Sequence, residues 1–276
     1  MYSPVVHLKA ARLTLPTNRS GRDFVVGDLH GHYRALMALL RAASFSPARD
    51  RLFSVGDLID RGPDSSRCLR LLNRSWFHPV LGNHDLAFVV NISQEGNVDA
   101  GIRHFCAQVG DSGGEWYMRH DRRDLLPLAS KLNHLPHIIT VGDRKVAFHV
   151  VHASLIPFAV ERPIILEDDR LETYEDSMDQ EILIFSLIGE RGLWRRDWEH
   201  RAEGLATTYC GHCIVSHPKW SLSHLNLDTG AGFDSTALEK RRLTMVCHQT
   251  QELWSVSIPD YAKIAHYRVP KMKKKR

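Results

Sequence analysis

The sequence predicts an α/β (α+β) fold whose functional groups gather beyond the C-terminal ends of its strands. Three observations carry that expectation. Short runs rich in Val, Phe, Leu and Ile alternate with helical patterns early in the chain, the later part is richer in strands, and five apolar runs stop abruptly at an Asp, Asn or His. At 276 residues, 43% hydrophobic and 25% charged, the chain has room for one large α/β domain.

The elements follow in order. "DFVVGD" reads as a strand, and "HYRALMALLRAASF" as a helix, because Tyr33, Leu36, Met37 and Leu40 recur on one helical face. "RLFSVGD" is a second strand, and "SSRCLRLLNRS" a helix with Ser65 and Ser66 where a cap belongs. "FHPVLGNHD" is a third strand. Residues Glu95 to Leu135 read as two helical segments around "VGDSGGEW". Strands resume at "RKVAFHVVHA", "LATTYCGHC", "LSHLNLDTGAG" and "RLTMVCHQTQELWSV". The acidic stretch from Glu161 to Glu190 lacks the glycine and ligand spacing of a calcium loop, so a solvated helix or loop on the rim is expected there. With no internal repeat and no linker, one domain is expected over 21–256, after an N-terminal extension (1–20) and before a basic tail (257–276).

Charge and cysteine content exclude several classes. The formal net charge is +4, but Lys271, Lys273, Lys274, Lys275 and Arg276 carry five positive charges, so the rest of the chain is one unit negative. A near-neutral body offers no broad surface for tracking phosphates, so no nucleic-acid partner is expected beyond a weak contact of the tail. Five cysteines, an odd number, give no disulfide framework, and Cys210 and Cys213 lack the second pair of a zinc knuckle. No stretch approaches the ~18 apolar residues of a membrane span, and the start has no signal-peptide pattern. The reducing cytoplasm is the expected compartment.

The interrupted runs carry the chemistry. "FVVGD" ends at Asp28 with His30 two residues on, "LFSVGD" at Asp57, "HPVLGN" at Asn83 followed by His84, "VAFHVVH" at His152, and "ATTYCGH" at His212. In open α/β sheets such strand ends are where side chains converge on a ligand. Asp28 and His30 are spaced to share one side of an extended chain. Asp57 offers two oxygens able to bridge two cations. A mixed O/N set without thiolate favours Mn²⁺, Fe or Zn²⁺ at an open, catalytic site. His149, three residues before His152, is assigned to packing or surface.

"GDLHGHY", "GDLIDRGPDS", "LGNHD", "VVHA" and "YCGHC", in this order, resemble the successive signatures of the metallophosphoesterase superfamily, phosphoprotein phosphatase branch. "SGGEWY" and "LPHIIT" make the chain most similar to the lambda-type bacterial and phage serine/threonine phosphatases. The resemblance implies a β-sandwich flanked by helices with a two-metal centre at its mouth. It implies Asp28, His30 and Asp57 on a first divalent ion and Asp57, Asn83, His152 and His212 on a second, manganese being the leading expectation. A water activated between the two ions would attack a phosphoester in line. His84 resembles the general acid and Asp60 the carboxylate that hydrogen-bonds it; Arg61 and Arg196 resemble the phosphate-binding arginines, with Arg195 competing for the second place. The implied substrate is a phosphoprotein or small phosphoester. "GNHD" in place of the usual "GNHE" also occurs in the related symmetrical diadenosine tetraphosphate hydrolases, and "GHC" stands where "GHT" is common. Those two departures bear on substrate choice. A non-catalytic binding module is disfavoured because every ligand, His84 and Arg61 are present.

Overall fold

Alternation along one strand shows how the layers are built. In β2 (Asp23–Val26) the Val25 side chain points between two sheets, while Phe24 and Val26 point towards helices. The computed structural model describes residues 11–93, 104, 106–107, 109, 113–156, 166–195, 198, 200–233, 241–258 and 260–272. One six-stranded sheet orders β12 (Ile264–Arg268), β11 (Glu252–Ser257), β10 (Arg242–Cys247), β2, β3 (Arg51–Ser54) and β4 (Phe77–Pro79). Within it β2, β3 and β4 are parallel, and the hairpin strands β10 to β12 are antiparallel. The other orders β1 (Arg12–Leu15), β5 (Ile138–Gly142), β6 (Val146–Val151), β7 (Thr207–Cys210), β9 (His224–Asn226) and β8 (Lys219–Ser221), with β6, β7 and β9 parallel.

The register explains the inner layer. Val25 pairs with both Phe53 and Val246, and Tyr209 with both Val150 and Leu225, so one face of each sheet is a continuous apolar surface. Phe53 and Phe148 meet edge to face across the gap with centroids 5.4 Å apart. Each fully buried ring contributes about 1.5–3 kcal/mol by leaving water. On the outer side of the first sheet, Phe24, Val26 and Leu52 pack in one cluster with Leu36 and Leu39 of α1 (Tyr33–Ala42).

Further helices among the described residues include α2 (Ser65–Arg70), α3 (Asn83–Ser93), α4 (Arg122–Asn133), α5 (Leu171–Ser177) and α6 (Gln180–Gly189). α3 is apolar and buried nearly all round, as a helix enclosed by protein must be. α4 starts where Asp121 accepts from the Arg123 N–H at 2.8 Å. Of the helical segments expected between Glu95 and Leu135, α4 and a 3₁₀ turn at Gly114–Arg119 are described, and most of 95–112 lies outside the described residues.

One expectation is corrected, and the two terminal segments each add a strand. The acidic stretch is not wholly a solvated rim: α6 within it buries Leu183, Ile184, Leu187 and Ile188, and its polar half is α5. The expected N-terminal extension contributes β1, paired in parallel with β5, so the sheets reach beyond 21–256. The expected basic tail contributes β12, paired with β11; Trp220 donates to the Pro270 carbonyl at 2.7 Å and Met272 packs against the inner layer. Residues 273–276 lie outside the described residues. Among the described residues no helix is long and apolar enough to cross a membrane.

Candidate metal centre

Loops just past β2, β3, β6 and β7, together with the first residues of α3, bring Asp28, His30, Asp57, Asn83, His84, His152 and His212 into one place. All seven are between 0% and 7% exposed. Asn83 and His84 open α3, so the positive end of its dipole faces this cluster. The backbone is strained to achieve this. Among the described residues nine non-glycine residues have positive φ, and five of them are His30 (39°), Asp57 (47°), Asp60 (72°), Arg61 (66°) and His212 (65°). Such conformations cost roughly 1–3 kcal/mol each and persist where packing over-determines them. Two glycines make room: a Cβ on Gly211 would overlap the Asp28 carboxylate, and one on Gly82 the Asp57 side chain and main chain.

Asp57 is the hub. Ligand atoms of His30, Asp57 and His84 all lie within 4.8 Å of one another, and so do those of Asp28, Asp57 and His152. The extended-chain argument for pairing Asp28 with His30 fails here, because the chain turns at His30, whose N–H donates to the Asp57 carbonyl at 2.8 Å. The two residues instead flank Asp57 in separate groups.

The donor set fits divalent cations. His152 donates from Nδ1 to the Val55 carbonyl at 2.7 Å, which leaves Nε2 as a lone pair facing Asn83 Oδ1 at 2.8 Å. Two acceptors then confront one another, a contact that a shared positive charge relieves. His212 Nδ1 lies 2.9 Å from the same oxygen. His30 likewise donates from Nδ1 to the Ile59 carbonyl at 3.0 Å and turns Nε2 towards Asp57 Oδ2 at 3.5 Å. Backbone carbonyls thus fix the tautomers of both rings. Burial raises the Asp28 carboxyl well above its usual range, reinforced by Asp228 and Asp57. For Asp57, burial pushes upward but His152, His84 and His30 outweigh it and hold the carboxyl low. Burial also holds His30, His152 and His212 below the ordinary imidazole value, in the neutral form a ligand needs.

Beside the hub, His84 Nδ1 is 2.8 Å from Asp60 Oδ2, and Trp116 Nε1 donates to Asp60 Oδ1 at 2.7 Å. The Arg61 fork reaches His84 Nε2 at 2.9 Å and His30 Nε2 at 3.2 Å. His30, Arg61, His84 and Trp116 line a cavity of about 850 Å³. Arg196 lies outside the described residues, and Arg195 is not among the cavity's lining; Arg191 is. Sequence reasoning also missed Trp116, although "SGGEWY" had been singled out, and Asp228, a lining carboxyl pushed up by burial to about 6. Its signal was the turn "DTG" closing an apolar run. His149 is buried in packing, bonded to Thr140 Oγ1 at 3.0 Å and Asp168 Oδ1 at 2.9 Å. Burial pushes the Cys210 thiol up, and that of Cys213 to about 12, so neither is a thiolate at neutral pH.

Residues 24–246 match the family described as calcineurin-like phosphoesterase. The chain is 31% identical over 212 residues to serine/threonine-protein phosphatase 2 of Salmonella typhimurium, covering 75% of this chain and 87% of the relative. It is 38% identical over 134 residues to the protein of the same name from Escherichia coli, a match spanning 48% of this chain but only 57% of that relative's length. A crystal structure of a putative diadenosine tetraphosphatase superposes with a TM-score of 0.58 at 25% identity, covering 90% of this chain and 98% of the other.

Proposed function

Because the chain belongs to the calcineurin-like phosphoesterase family, we propose that it is a metal-dependent phosphomonoesterase acting on phosphoserine and phosphothreonine in proteins. One observation carries the reading: Asp57 is common to two groups of ligand atoms, and the His84–Asp60 pair and the Arg61 fork stand directly beside it. Asp28, His30, Asp57, Asn83, His152 and His212 would hold two divalent cations, with manganese preferred and iron or zinc compatible with the O/N donors. When bound, such a pair supplies Lewis-acid activation of water and neutralises phosphoryl charge.

The protein's own groups do the rest. Arg61 presents two donors from one planar fork, now directed at His30 Nε2 and His84 Nε2, and would turn them to two phosphate oxygens. Arg191, on the cavity wall, is placed to be a second phosphate-binding arginine, the role that the resemblance implied for Arg196. His84 delivers a proton from Nε2 to the departing serine oxygen while Asp60 holds Nδ1, and Trp116 holds Asp60. Cys68, Cys210, Cys213 and Cys247 are buried thiols, in keeping with a home in the reducing cytoplasm.

A second reading, symmetrical cleavage of diadenosine tetraphosphate, is favoured by Arg119 and Arg241, which add two further positive charges to the cavity lining. The test is side-by-side turnover of a phosphoserine peptide, a phosphotyrosine peptide and the dinucleotide with Mn²⁺ added. The peptide with phosphoserine should give the highest kcat/KM. Dominance of the dinucleotide would overturn the protein-phosphatase reading in favour of the second.

A further inference from the structure

Asp85 ends the G-N-H-D segment, whose last residue the family resemblance connects with substrate choice. The fold places it elsewhere. Asp85 is 0% exposed and is absent from the cavity's lining. Its Oδ1 accepts from the Leu58 N–H at 3.0 Å, and its Oδ2 accepts from the Gly82 N–H at 3.1 Å and from Leu58 N–H at 3.3 Å. Leu58 follows Asp57, and Gly82 precedes Asn83. One carboxylate therefore ties the loop that carries the hub carboxylate to the residue that leads into the carboxamide at the start of α3. A third bond closes the same unit, from the His84 N–H to Asp57 Oδ1 at 2.9 Å.

We propose that Asp85 is a positioning residue that sets the separation of Asp57 and Asn83, and with it the geometry of both cation sites, and that it does not read the substrate. The proposal rests on the two-cation reading above. Asp57 lies in the strained turn after β3 while Asn83 opens α3, and both the Leu58 and Gly82 amides are buried donors that need an acceptor. Two oxygens on one rigid, short side chain at the start of α3 satisfy both donors at a fixed spacing. An asparagine of the same shape has one oxygen to offer, and its NH₂ group would oppose one of the two N–H groups.

The experiment uses full-length protein stripped of metal, titrated calorimetrically with Mn²⁺ alone, for wild type, Asp85→Asn and Asp85→Glu. Steady-state kinetics on the phosphoserine peptide and the dinucleotide accompany it. Asp85→Asn should weaken Mn²⁺ binding by roughly 10–100-fold, the usual effect of losing a group that orients ligands. kcat should fall with KM and the peptide-to-dinucleotide ratio unchanged, and Asp85→Glu, which keeps both oxygens, should recover most of the loss. Wild-type Mn²⁺ affinity in Asp85→Asn, a changed substrate ratio, or Asp85→Glu no better than Asp85→Asn would each overturn the proposal. Should Asp85→Asn not fold, Asp85→Ser, whose hydroxyl can accept from one loop, takes its place with the same outcomes. A wild-type protein that binds Mn²⁺ but ignores the peptide refutes the substrate reading and leaves the calorimetric comparison standing; one that binds no Mn²⁺ refutes both.

Discussion

Replacing Asp60 with asparagine isolates the proton-delivery role, because it removes one acceptor and changes almost no volume. Two ring N–H groups converge on this carboxylate: His84 Nδ1 at 2.8 Å and Trp116 Nε1 at 2.7 Å, with Asp60 itself only 2% exposed. A carboxamide can accept from one of them, and its NH₂ must then face the other. If the oxygen stays with Trp116, the amide donates to His84 Nδ1, and the ring is locked as the neutral tautomer. A buried hydrogen bond to a charged group is worth about 1.5–3 kcal/mol, so turnover of a phosphoserine peptide should fall roughly ten- to hundredfold. The assay compares that peptide with 4-nitrophenyl phosphate, whose leaving group is stable as an anion and needs little proton help, at saturating Mn²⁺, with circular dichroism as the control on folding. The expected loss on the aryl ester is much smaller. An equal loss on both substrates would mean that Asp60 serves only to hold the loop, and no loss on the peptide would remove the proton-delivery account altogether.

Other expected outcomes follow from single contacts. His224 is fully buried, accepts the Leu155 N–H on Nε2 at 3.0 Å, and is held down by burial to about 4. The unfolded state therefore takes up the proton first, so stability is complete above the unfolded value near 6.5 and is lost as pH falls towards 4, by about 3 kcal/mol in all. Urea titrations at several pH values should show that slope flattened by this amount in His224→Gln; an unchanged slope would mean that His224 does not titrate across folding. Gly211→Ala should cost about 1–3 kcal/mol by overpacking against Asp28 and should weaken Mn²⁺ binding, and an alanine variant with unaltered Tm and Mn²⁺ affinity would contradict the close approach. Arg191→Ala should raise both KM and the inhibition constant of inorganic phosphate by about tenfold, as loss of one charge-assisted phosphate contact would; unchanged inhibition would point Arg191 away from phosphate.

The candidate site was legible in the sequence to the extent that its residues end apolar runs. Asp28, Asp57, His152 and His212 each follow a strand by one to three residues, so the interruption of hydrophobicity marks them directly. The reason they converge was less legible. Asp28 and His30 reach opposite sides of Asp57 because the chain makes a left-handed turn at His30, a conformation that sequence spacing does not encode for a histidine. Arg191 was invisible for a similar reason: it follows the end of α6, and the turn of the chain there brings it to the cavity. Asp228 was hidden inside what read as a continuous strand pattern, although β9 stops at Asn226. The edge strands β1 and β12 carry few buried residues and no strong alternation, so their membership of the sheets depends on partners far away in sequence.

If one carboxylate, Asp57, serves two cations at once, the two ions must depend on each other's site. Titration of metal-free protein with Mn²⁺, followed by electron paramagnetic resonance, tests it most directly. Two ions per chain with exchange-coupled spins are expected in the wild type, and loss of both tight sites in Asp57→Asn. A single ion per chain, or an Asp57→Asn protein that keeps one site at wild-type affinity, would contradict it.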